Sequence, residues 1–170
     1  MKVNNLEIGI VFSKCIPFLK SIGIEIIFRK IETLSFLPGL LIENGHIVVD
    51  REKLLFPGDI LHEAGHIAVT PAADRGLLNN QMVLDSKSRE SEEMMAIAWS
   101  YAACIFLELD PLIVFHESGY NGTGENIMEN FRNGRFFGIP SLQWCGMTME
   151  PGNSRNGDAV YPEMTKWLRD

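Results

Sequence analysis

His62, Glu63 and His66 form the pattern H-E-x-x-H inside the segment Leu61-His62-Glu63-Ala64-Gly65-His66. Residues four apart on a helix lie one above the other, so two imidazoles at that spacing can bind a single metal ion. Glu63 is turned roughly 100° from His62 at about 3.6 residues per turn, which sends it towards a metal-bound water and not towards the metal. Two imidazole ligands and one carboxylate base make up a zinc-hydrolase arrangement. In a chain of this composition the pattern arises by chance in roughly one sequence per hundred. A catalytic zinc typically has three protein ligands and a water, so a third ligand is owed. Glu93, 27 residues after His66, is the expected one, with Glu92 in reserve.

The elements that must position these groups are legible around them. Asp59 is placed to cap a helix that carries the motif through Ile67, Ala68 and Val69, and Pro71 stops it. A second helix is expected from Ser88 to Leu109. It opens on Glu90, Glu92 and Glu93 and then becomes apolar on every face, the pattern of a buried helix. Glu90 and Glu92 suit the positive end of that helix as ordinary solvated acids. From Glu93, the face continues through Ala96, Ile97 and Ser100, small enough for the motif helix to come close.

Upstream, a helix is expected from Leu6 to Ser21, with Gly23 as its stop and Pro17 a potential kink. Ile24 to Ile31 reads as a strand. Leu40 to Val49 reads as a hairpin about Asn44-Gly45, a pair suited to a type I′ turn. His46, just after the turn, is expected to be an exposed strand residue. Ala72 to Lys87 reads as a long irregular connection, a candidate wall or lid of a cleft, or equally the seat of a short helix whose place the sequence does not fix. Further on, Thr123 to Asn133 reads as a short helix stopped by Gly134, Arg135 to Ile139 as an extended piece, and Pro140 and Pro162 as starts of helical turns. His116 and Tyr120 are candidates to stabilise an oxyanion opposite the metal, weighed against ordinary polar loop residues.

Composition bounds the class. With 170 residues and 46% hydrophobic content, the chain fits one domain over residues 1–170 with a substantial core. A net charge of −7 argues against direct nucleic-acid binding. Three scattered cysteines suggest reduced thiols, hence a cytoplasmic location, and no apolar run is long enough to span a membrane.

Other zinc schemes fail on their own residues. A metzincin needs a third histidine where Ala72 stands and a glycine where Val69 stands. Thermolysin-like enzymes pair the downstream glutamate with an aspartate four residues on, where this chain has Ile97. Peptide deformylases add a cysteine in a segment that the surroundings of Cys15 do not match. The chain resembles instead the ImmA/IrrE-type metallopeptidases. The resemblance spans roughly residues 20–110. It is carried by the Leu40–Val49 hairpin, His62-Glu63-Ala64-Gly65-His66, and Glu93 leading into Ala96, Ala98, Ala102 and Ala103. Departures fall at Glu93-Met94-Met95, where the family commonly has Glu-Ala-Asn, and at Leu107-Glu108-Leu109-Asp110-Pro111.

The resemblance implies an α+β fold, a small, mostly antiparallel sheet with a hairpin packed on a mainly helical zincin-like core. It implies one zinc ion on His62, His66 and Glu93, Glu63 as base, and a peptide or protein substrate. No helix-turn-helix is recognisable, so any regulatory DNA binding would need a regulatory protein partner. Two other classes compete. One is a non-catalytic module that keeps the fold and the metal for binding or regulation. The other is a closed structural metal site completed by Cys104 or His116.

Overall fold

Asn5–Ser21 forms α1, and Pro17 sits within it without ending it. The computed structural model describes residues 5–33, 35–85, 89–153 and 158–170. Gly23, at φ +89°, reverses the chain after α1. The Ile24 amide then donates to Leu19 and the Gly23 amide to Lys20, a paired closure of the last helical turn.

Three short strands follow: β1 (Ile26–Phe28), β2 (Leu40–Glu43) and β3 (His46–Val49). Asn44 and Gly45 take φ of +52° and +72°, the turn expected between β2 and β3. The sheet order is β1-β3-β2, with β1 parallel to β3 and β2 antiparallel to it. The sheet is therefore mixed, and the expected mostly antiparallel arrangement is corrected. The cause is that the outer edge of β2 is already used. The Ile42 amide donates to Asn80 Oδ1 and the Gly45 amide to the Leu78 carbonyl, so β1 takes the free edge of β3. As the middle strand, β3 is covered on both faces, and Ile47, Val48 and Val49 are all buried.

β1 is also shorter than the expected Ile24–Ile31 strand. Ile24 closes α1, and the Ile31 amide donates to the Asp50 carboxylate, so both ends of the run have partners outside the sheet.

The motif helix is α2 (Asp59–Val69), and every residue of it except His62 is buried. Two short helices, α3 (Ala72–Arg75) and α4 (Asn80–Asp85), occupy most of the stretch expected to be irregular, whose end at Lys87 lies outside the described residues. The long apolar helix is α5 (Arg89–Phe106), and its expected start at Ser88 also lies outside the described residues. The expected end at Leu109 is not reached, because Glu108 takes φ +51°. α6 (Gly124–Arg132) and α7 (Ile139–Trp144) complete the helices. Gly134 and Gly138 both take positive φ, so residues 135–138 turn into α7 and the extended piece expected there is absent. Pro162 starts no helix; Thr165 and Lys166 both donate backbone amides to the Met147 carbonyl instead.

The result is an α+β fold in which one hydrophobic cluster runs from α1 through the sheet, α2 and α5 to Tyr161. No helix among the described residues is long and apolar enough to cross a membrane.

Candidate metal centre

α2 and α5 cross at Gly65. A methyl group built on Gly65 would lie 2.8 Å from the Ala96 carbonyl oxygen and 3.2 Å from Ser100 Oγ. Ser100 Oγ donates to the Ala96 carbonyl, with the Leu61 carbonyl on α2 3.2 Å away. This near contact of two backbones brings Glu93, one turn before Ala96, over the histidine face of α2.

Three donor groups meet there. His62 Nε2 and His66 Nε2 are 3.1 Å apart, Glu93 Oε1 is 3.5 Å from His62 Nε2, and Glu93 Oε2 is 3.3 Å from His66 Nε2. Among the described residues, His62, His66 and Glu93 are the group of side chains arranged to hold a metal ion. A tetrahedral zinc with bonds of about 2.0–2.2 Å needs donor atoms roughly 3.3–3.5 Å apart, so the spacing fits. Glu92 is not in this group.

The electrostatics fit a cation too. Burial drives the His62 imidazole down to about 3, reinforced by His66 and opposed by Glu93. Burial lifts the Glu63 carboxyl to about 7; His66 opposes this, while the Asp59 and Glu93 carboxylates add to it. For His66, burial acts downward, but the Glu93 hydrogen bond and nearby carboxylates outweigh it and raise the imidazole above its usual value. His66 and Glu63 are buried and His62 nearly so, while the Glu93 side chain, 37% exposed, faces them from the cavity side.

The residues expected to stabilise an oxyanion line the same cleft, but each already has another partner. Tyr120 Oη lies 2.8 Å from His62 Nδ1. The tautomer that leaves Nε2 free for a metal makes Nδ1–H the donor and the phenol oxygen the acceptor. Burial raises the Tyr120 hydroxyl well above its usual range, so the phenol is neutral. Its backbone sits at φ +50°, an uncommon conformation for a tyrosine that the surrounding fold must hold in place.

His116 Nε2 lies 3.0 Å from Asp59 Oδ1, and its ring stacks on Phe56 at 3.8 Å between centroids. Its Nδ1 is buried and has no partner among the described residues. Asp59 was expected to cap α2. Instead α2 follows Gly58 with no side-chain cap, and Asp59 sits inside the first turn facing His116. Sequence reasoning missed this pair because its members are 57 residues apart and only the fold joins them.

His46 stands apart from the centre, half-exposed on β3 and 3.7 Å from Glu25. Cys104 is fully buried on α5 and is not in the donor group.

No protein-family model, curated protein or solved structure gives a significant match to the chain.

Beside the donor group lies a cavity of about 640 Å³, whose walls include His62, Glu63, His66 and Glu93. The three converging side chains are thus reached from an open cavity.

Proposed function

We propose that the chain is a zinc-dependent peptidase of the gluzincin type, acting on peptide or protein amide bonds. The observation that carries this reading is the convergence of His62 Nε2, His66 Nε2 and Glu93 within 3.1–3.5 Å, beside an open cavity. The ImmA/IrrE-type resemblance, a zincin-like core and a cytoplasmic location belong to the same proposal. The first two rest on the motif and its spacing, the location on three cysteines that form no disulfide.

When bound, zinc polarises a carbonyl oxygen and makes a water acidic enough to lose a proton near neutral pH. The chain's residues do the rest. Glu63, one position after a ligand and buried at the cavity wall, accepts the proton of the attacking water. It then delivers that proton to the leaving amine. A carboxyl lifted to about 7 in the metal-free protein is a stronger base than an ordinary glutamate, and the nearby cation tempers this when present. Tyr120 fixes the ring of His62 so that Nε2 points at Glu93, and Glu93 fixes the spacing of the two imidazoles. The Asp59–His116 pair, stacked on Phe56, braces the first turn of α2 where Glu63 begins its reach.

The test is a degenerate peptide library incubated with zinc-loaded protein and with Glu63→Gln, read by mass spectrometry for new termini. The wild type is expected to cut, and Glu63→Gln to keep zinc but lose at least about a hundredfold in rate. Equal cutting by both would remove Glu63 from the chemistry. No cutting by a zinc-loaded wild type would favour a binding module on the same fold.

A further inference from the structure

The cavity beside the donor group is built from two kinds of surface. On one side stand the histidines and the carboxyl groups of Asp59, Glu63 and Glu93. On the other stand apolar side chains from four separate stretches of chain: Phe36 and Leu37 before β2, Val83 and Leu84 on α4, Ile97 on α5 and Ile127 on α6. Ile97 and Ile127 are buried and form its inner wall, while Phe36 (81% exposed) and Leu84 (38% exposed) stand at its mouth. Single exposed apolar residues are ordinary on a protein surface. Several converging from different elements on one cavity mark a place where apolar surface is to be covered.

Ile97 makes the connection to the chemistry. It lies four residues after Glu93 on α5, and so on the same helix face, one turn from the ligand carboxylate. An apolar group bound along that wall lies next to whatever atom the metal holds. Charge selects in the same direction. Three carboxyl groups line the cavity, and among the described residues lining it there is no lysine or arginine. With Glu93 on the metal and Asp59 on His116, Glu63 is the carboxyl group that an acidic substrate side chain would face, with no cationic side chain among the described lining residues to pair with it, and a carboxylate taken from water without such a partner is costly.

We propose that this cavity selects polypeptide segments with an apolar side chain beside the bond held at the metal, and rejects acidic ones there, with Leu84 and Ile97 as specificity-determining residues. The proposal rests on the reading of His62, His66 and Glu93 as a zinc site.

The test uses zinc-loaded protein titrated calorimetrically with acetohydroxamate, N-acetyl-leucine hydroxamate and N-acetyl-glutamate hydroxamate. All three carry the same metal-binding group. The leucine probe is expected to bind about tenfold or more tighter than acetohydroxamate, and the glutamate probe weaker than both. Leu84→Lys, a change at a partly exposed position that the fold can tolerate, is expected to narrow or invert the leucine-to-glutamate preference by about tenfold. Equal binding of all three probes would overturn the selectivity while leaving the zinc site standing. An unchanged preference in Leu84→Lys would remove Leu84 from it. Failure of zinc to load, or of acetohydroxamate to bind loaded protein, would bring down the zinc-site reading and the selectivity with it.

Discussion

Gly65 on α2 and Ala96 on α5 meet so closely that a Cβ on Gly65 would stand 2.8 Å from the Ala96 carbonyl oxygen. That contact sets the separation of the two helices that carry the candidate ligands. It links a backbone feature to the position of a carboxylate one turn away. The middle of the motif is therefore constrained by packing, apart from the spacing of its histidines.

Gly65→Ala separates these effects. At an exposed helix position this change stabilises by about 1 kcal/mol, because alanine is the better helix former. Here the opposing carbonyl belongs to backbone and cannot swing aside, so overpacking of about 1–3 kcal/mol should win. The expected outcome is a lower melting temperature together with zinc affinity weakened at least about tenfold. A variant that melts higher than wild type would show that the helices do not meet as described.

Tyr120→Phe removes only the oxygen that faces His62 Nδ1. Outer partners of metal-binding histidines are typically worth about 10–100-fold in metal affinity. Zinc titration of the variant should show a loss in that range, with the far-ultraviolet circular dichroism of wild type. Unchanged affinity would mean that the hydroxyl does not orient the ring.

Arg75 has a structural task at the other end of α2. Its guanidinium donates to the carbonyls of Ile67 and Thr70, each at 3.2 Å, and to that of Arg169. The Arg169 amide in turn donates to Ala68 at 2.9 Å. The last carbonyls of α2 are thereby tied to the C-terminal segment, whose Trp167 ring packs against Phe18 and Trp99. Arg75→Ala should cost about 1–3 kcal/mol in denaturant unfolding, since it strips several charged hydrogen bonds at once. Arg75→Lys should recover little of that, because an ammonium lacks the fork that reaches three carbonyls. Full recovery by lysine would reduce the role of Arg75 to its charge.

Local signals in the sequence were read correctly where the physics is local. Asn44-Gly45 demands positive φ and has it, and the apolar run after Glu93 is a helix, buried from Met95 to Ser100 and from Ala102 to Cys104 but exposed at Met94, Ile105 and Phe106. Signals failed where a distant partner decides. Ile24 to Ile31 has strand composition throughout, yet the Asp50 carboxylate takes the amide of Ile31 and shortens the strand. Asp59 has the chemistry of a cap, yet His116 provides a partner that no local pattern contains. β1 joins β3 in parallel because Leu78 and Asn80 cover the rim of β2 from a segment with no strong pattern of its own. In the site, the spacing identified the histidines and drew attention to Glu93. The same spacing could not reveal that Tyr120 stands behind His62 instead of across the cleft.

The most direct measurement is zinc content per chain, with a calorimetric titration, for wild type, His66→Ala, Glu93→Gln and Glu92→Gln. One zinc in wild type is expected, lost in the first two variants and retained in Glu92→Gln, because among the described residues it is Glu93 that reaches both imidazoles, at 3.3–3.5 Å. Loss of zinc in Glu92→Gln with retention in Glu93→Gln would contradict the ligand set. A wild-type chain that neither carries zinc nor takes it up on addition would contradict the metal centre itself.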